Sequence, residues 1–232
     1  MIILRKSCER GYANHGWLES WHSFSFAKYS DPEHIHFGPL RVINEDIIQP
    51  ASGFGSHGHR NMEILTYVLS GTLRHGDSMG NFGDIAYGEV QVMSAGTGVQ
   101  HSEVNPALSE SVHLLQIWIM PDKLNVTPGY RQKKFPLQNK QSRWCQLASR
   151  NGSEDSLIIH QDAQIFVACL KNEEKLDYRI KAGRKIYLYV ARGSVKVNEY
   201  ALSAGDALMF SGEDRVNLAA LSDMEVLLFD LK

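Results

Sequence analysis

A period of two in hydrophobicity, cut by glycine at short intervals, limits most of this chain to β-strands. The run 63–71, EILTYVLSG, and the run 112–119, VHLLQIWI, show the pattern. Successive side chains of an extended backbone point to opposite faces. Further short runs at 156–160, 165–170, 186–191, 207–210 and 225–229 are each bounded by Gly, Asp, Asn or Pro, residues that favour turns. No long stretch with a helical period competes with them. Many short strands at fairly regular spacing imply an all-β sandwich or barrel.

A polar segment from Pro121 to Arg143, holding Pro128-Gly129 and Pro136, reads as a connection between two domains. It sets expected domains at 1–135 and 136–232. An internal comparison supports two related barrels: 64–71 lines up with 186–193, placing Tyr67 on Tyr189. Farther on, Gly88-Glu89 with Val92-Met93-Ser94 corresponds to Gly205-Asp206 with Met209-Phe210-Ser211. A chain of 232 residues can bury two such small cores.

Composition excludes several classes of function. Hydrophobic residues make up 43% and charged residues 22%, as in ordinary globular proteins. No apolar run approaches the roughly 18 residues a membrane span needs. A formal net charge of −2 gives no basic footprint for a phosphate backbone, so direct nucleic-acid binding is not expected. The opening Met1 to Lys6 is too short and too soon charged for the apolar core of a secretory signal, so a cytoplasmic protein is expected. Cys8, Cys145 and Cys169 are odd in number and lack CxxC spacing, which argues against a disulfide framework or a thiolate zinc site.

The chemistry is concentrated in the first half. His57-Gly58-His59 places two imidazoles one residue apart, on the same face of an extended strand and about 7 Å apart at the backbone. His101-Ser102-Glu103 repeats the spacing with an imidazole and a carboxylate. Two such strands facing across a barrel interior deliver three nitrogens and one oxygen to a single ion. Imidazole suits Fe, Cu, Ni and Zn, and a mixed histidine and carboxylate set with open positions suits oxygen-dependent non-haem iron. Fe(II) is the first expectation. An HxH pair alone is weak, as His34-Ile35-His36 shows, since that pair stands in a turn-rich context without a second ligand pair. His75, His113 and His160 lack partners at useful spacing. The aromatic run around Trp17, Trp21, His22, Phe24 and Phe26 can cover a metal mouth, but core packing is the commoner use.

The stretches 53–71, GFGSHGHRNMEILTYVLSG, and 88–105, GEVQVMSAGTGVQHSEVN, resemble the paired motifs of cupins, specifically of pirins. The runs 15–26, 75–80 and 115–119 resemble pirin signatures as well. The resemblance implies two cupin-type barrels in tandem, a bicupin. It also implies one mononuclear divalent metal, usually iron, at His57, His59, His101 and Glu103. Glu63 matches the position where cupins in general place a fourth ligand; it is expected beside the metal's ligands and facing the same way as His59. Some pirins are similar to quercetin 2,3-dioxygenases, which implies a flavonol-like aromatic ligand and Glu103 as the catalytic base. Others are iron-dependent partners of regulatory proteins, which implies instead a metal- or redox-responsive binding protein with a protein partner. Aligned on the first copy, the second carries Arg179, Lys181 and Lys185 in place of His57, His59 and Glu63. Leu218 and Ala220 stand opposite His101 and Glu103, so no metal is expected there.

Overall fold

The alternating runs form strands where their period places them: Glu63–Ser70 and Val112–Ile119 lie side by side and antiparallel, with Leu115 opposite Tyr67. A computed structural model describes residues 1–232, and these divide into two units.

The first unit comprises Gly11–Lys134 and Leu157–Gln161. Its larger sheet has the order Gly129–Lys134, Glu89–Ser94, Glu63–Ser70, Val112–Ile119, Leu40–Ile48, Leu18–His22, Gly11–Asn14. The smaller sheet runs Gly53–His59, Val99–Val104, Thr72–Asp77, Phe82–Ala86. Leu18, Ile48, Val68, Val112 and Leu114 of the larger sheet pack against Leu73 and Ile85 of the smaller, so one core lies between the two sheets. Each such aliphatic side chain withdrawn from water contributes about 1.5–3 kcal/mol.

The second unit comprises Met1–Arg10, Phe135–Ser156 and Asp162–Lys232 and repeats this architecture. Lys185–Arg192 takes the place of Glu63–Ser70, between Ala207–Ser211 and Met224–Leu231. Opposite stands the sheet Lys175–Arg179, Arg215–Ala220, Ser194–Val197, Tyr200–Ser203. Its core joins Leu188, Phe210 and Leu228 to Val195, Val216, Leu218 and Ala220. Leu218 and Ala220 are therefore packed apolar positions, while Arg179, Lys181 and Lys185 are exposed.

A single cut at 135/136 departs from this division at Phe135, which belongs to the second unit, and in two longer segments. The strand Ile2–Arg5 pairs with Ala207–Ser211, Ile2 opposite Phe210, so the first ten residues fold with the C-terminal unit. Leu157–Gln161 folds with the N-terminal unit. Nor is the segment 121–143 only a connection, because Gly129–Lys134 adds an edge strand to Glu89–Ser94 and Leu137–Lys140 is a short helix. No helix is long and apolar enough to cross a membrane.

Candidate metal centre

His57 and His59 lie on Gly53–His59, and His101 lies on the adjacent antiparallel strand Val99–Val104, directly opposite His57. The two ligand pairs thus come from neighbouring strands of one sheet rather than from strands facing across the barrel. Direct cross-strand partners bring their side chains within a few ångströms. The ring centroids are 4.4 Å apart for His57 and His101, and 4.9 Å apart for His57 and His59 and for His59 and His101. One ligand nitrogen from each lies within 4.8 Å of the others. Gly53 lets the strands approach, since a Cβ there would lie 2.3 Å from the carbonyl oxygen of Glu103.

Between His101 and Glu103 the register shifts, and the irregularity places Glu103 opposite Phe54 on one side and His75 on the other. A bulge of this kind re-aims a side chain. Glu103 is buried, and three side chains of the facing sheet donate to it. Thr66 Oγ1 and Gln91 Nε2 reach Oε1 at 3.1 and 2.9 Å, and Gln116 Nε2 reaches Oε2 at 2.7 Å. The three donors are cross-strand neighbours, Gln91 opposite Thr66 and Thr66 opposite Gln116. Burial pushes the Glu103 carboxyl up to about 7 against these three hydrogen bonds.

Glu103 closes on the trio through His101: those two and His75 form a second group whose ligand atoms lie within 4.8 Å of one another. His75, which the sequence left without a partner, is fully buried, meets Asp77 at 3.1 Å through Nε2 and stacks on Tyr130 with centroids 4.5 Å apart. The signal was the His75-Gly76-Asp77 spacing, the same one-residue gap that marks the other pairs.

The donor set fits a divalent transition ion. Both ring nitrogens of His101 are buried and lack any hydrogen-bond partner, an arrangement that burial makes costly unless something else binds them. Burial and the nearby histidines pull His101 down to about 3, and burial with His57 pulls His59 down to about 4. Both rings therefore stay neutral at pH 7, the form that ligates. The Gly55 carbonyl accepts from His57 Nδ1 at 2.8 Å, which fixes the tautomer and leaves Nε2 free to ligate.

His57, His59 and Glu103 open onto a cavity of about 740 Å³ in the same unit. Its walls include Trp17, Phe26, Tyr29, Phe54 and Trp118. Trp17 meets Phe54 edge-on at 5.1 Å, and Trp118 meets both Phe26 and His59 edge-on, at 5.4 and 4.9 Å. The N-terminal aromatic segment thus splits. Trp17, His22 and Phe26 line the cavity, whereas Phe24 is core and Trp21 packs on Tyr12.

Glu63 is a correction to the expected placement. Thr66 faces Glu103, so by strand parity Glu63 points to the other side of the sheet. There it accepts from Ser94 Oγ at 2.8 Å and lies 3.4 Å from His160 Nδ1. His34 and His36 are held apart from the group by Asp31 Oδ2 and the Gly38 carbonyl, at 2.8 and 3.0 Å. His113 meets Glu45 at 2.9 Å. Cys8, Cys145 and Cys169 form no disulfide; Cys8 is exposed, and burial pushes the Cys169 thiol up to about 12.

The family model described as Pirin matches residues 4–119, and the one described as quercetinase C-terminal cupin domain matches 146–231. Quercetin 2,3-dioxygenase of Escherichia coli (strain K12) is 49% identical over 232 residues, which cover 100% of this chain and 99% of that protein. A pirin-like protein of Caulobacter vibrioides is 41% identical over 231 residues, covering 99% of each. Among solved structures, the bacterial pirin YhhW of Escherichia coli in complex with nickel(II) superposes with a TM-score of 0.95 at 47% identity. That match covers 100% of this chain and 99% of the other.

Proposed function

This chain belongs to the pirin family, and from that premise we propose that its N-terminal unit holds one divalent metal on His57, His59, His101 and Glu103 and uses it in the 2,3-dioxygenation of a flavonol. The observation that carries the reading is the aromatic cavity into which His57, His59 and Glu103 project. A flat polycyclic ligand stacks well between such walls, and about 740 Å³ lies within the range of small-molecule sites. A centre serving only to alter a binding surface has no need of that space.

Iron is the metal we favour, on the strength of a histidine and carboxylate donor set with open positions; the related YhhW structure contains nickel(II). An ion held by these four residues would supply Lewis acidity and a template for the ligand. Glu103 is the base. One Oε would take the flavonol hydroxyl proton, a transfer that needs the carboxylate within hydrogen-bond reach of that hydroxyl. Thr66, Gln91 and Gln116 hold the carboxylate in one orientation throughout. Trp118 braces the His59 ring, and the aromatic walls exclude water from the bound ligand.

The test is oxygen uptake by protein of verified metal content, with quercetin added anaerobically first so that chelation is read from its visible absorption. A shift on binding followed by oxygen consumption is expected. Uptake no greater than that of metal-free protein across several flavonols would reject the dioxygenase reading in favour of a metal-dependent binding protein.

A further inference from the structure

The floor of the cavity carries a row of polar side chains that the metal chemistry uses only in part. Across five adjacent strands, His22 stands opposite Asn44, Asn44 opposite Gln116, Gln116 opposite Thr66 and Thr66 opposite Gln91. Gln116, Thr66 and Gln91 hold Glu103. The other end of the floor, Ser20, His22, Asn44 and Asp46, also lines the cavity, and none of the four hydrogen-bonds to Glu103.

Each of the four is 3–4% exposed. Polar groups so deep in a sheet are costly unless their bonding capacity is met. Ser20 and Asp46 are cross-strand partners, and the serine hydroxyl donates to Asp46 Oδ1. No other donor reaches that carboxylate. His22 Nδ1 meets Asn44 Oδ1 at 2.9 Å, with the ring against Phe26 and Tyr29. The amide nitrogen of Asn44 has no acceptor. Asn44 and Asp46 are two residues apart on Leu40–Ile48, so both project from one face. Side by side, they offer the cavity an unused N–H donor and an unused carboxylate acceptor.

A phenolic hydroxyl both donates and accepts, and two on adjacent carbons match such a pair: one donates to the carboxylate while the other accepts from the amide. We infer that Asn44 and Asp46, held in place by His22 and Ser20, are specificity-determining residues that recognise vicinal hydroxyls on the ligand ring remote from the chelating pair. The pocket then selects flavonols bearing a dihydroxyphenyl ring over those with a bare phenyl. The inference rests on the flavonol reading above and adds to it the end of the cavity that reads the substrate.

The experiment compares 3-hydroxyflavone with 3,3′,4′-trihydroxyflavone, the same molecule carrying the vicinal pair. Each is titrated anaerobically into metal-loaded wild type, Asp46→Asn and Asn44→Val, with metal content and melting temperature checked for every protein. Wild type is expected to prefer the trihydroxy compound by roughly 10-fold, the worth of one or two hydrogen bonds to buried groups. Each variant is expected to bring the ratio of the two affinities to within about 3-fold of one. Equal affinities in wild type, or an unaltered ratio in both folded, metal-loaded variants, overturns the inference while leaving the flavonol reading intact. Failure of wild type to bind either compound overturns both.

Discussion

Glu103→Gln separates a carboxylate that only helps to hold a metal from one that also takes a proton. The native carboxylate accepts three hydrogen bonds, two on Oε1 and one on Oε2. In the variant one oxygen becomes an NH₂ group. The oxygen that remains is best kept between Thr66 and Gln91, where two donors converge, so the new NH₂ meets Gln116 Nε2, donor against donor. An unmatched buried donor costs about 1–3 kcal/mol, and turning over the Gln116 amide recovers part of it. For a chain of this size that is a melting temperature lower by roughly 2–10 °C. The three histidines and the amide oxygen still ligate, so most of the metal is retained, but the basicity is lost. Turnover of quercetin, followed by oxygen uptake on protein of matched metal content, is therefore expected to fall by about 10²- to 10⁴-fold. A metal-loaded variant turning over within about 3-fold of wild type would refute the assignment of Glu103 as base, since no general-base contribution is that small.

His57→Ala is expected to lower the melting temperature of metal-loaded protein more than that of metal-free protein, because an ion bound only to the native state adds stability by mass action; equal shifts in the two forms would count against ligation by His57. Asp46→Asn is expected to change how stability varies with pH. Burial raises the Asp46 carboxyl from 3.8 to about 7, so the stability it contributes is present below about 4 and is lost as pH rises through about 7. Denaturant titrations of metal-free protein at several pH values should thus show wild type losing ground to the variant between about pH 4 and pH 7, and parallel curves would refute this. Leu4→Asp removes an apolar contact with the C-terminal core and is expected to speed hydrogen exchange in Ala207–Ser211 while leaving Gly53–His59 as protected as before. Faster exchange in Gly53–His59 alone would contradict the pairing of the N-terminal strand with the second unit.

Period two was enough to locate Val112–Ile119 to the residue and Glu63–Ser70, Ala163–Leu170, Lys185–Arg192, Ala207–Ser211 and Met224–Leu231 to within two residues, because a sheet with one buried face imposes its alternation on the sequence, whereas Leu40–Ile48 was not among the runs. The same spacing rule singles out His57, His59, His101 and Glu103, whose side chains the fold brings into two overlapping groups, and it holds for His75 and Asp77 as well. What stayed hidden depended on contacts between distant segments. Nothing within Ile2–Arg5 signals that its partner is Ala207–Ser211, and only assembly of the larger sheet places Leu18–His22 at the edge of a cavity. Glu63 was misplaced for a different reason. A family position carries no strand parity, and an odd step from Thr66 reverses the face.

The direct measurement of the central claim is the metal content of protein purified without chelator, beside a His57→Ala/His59→Ala variant and a His101→Ala variant, by elemental analysis. The account predicts close to one divalent metal ion per chain in wild type and near-complete loss in both variants, with circular dichroism of the metal-free forms unaltered. A stoichiometry near two, or an ion retained when His101 is lost, would contradict a single centre built on these histidines.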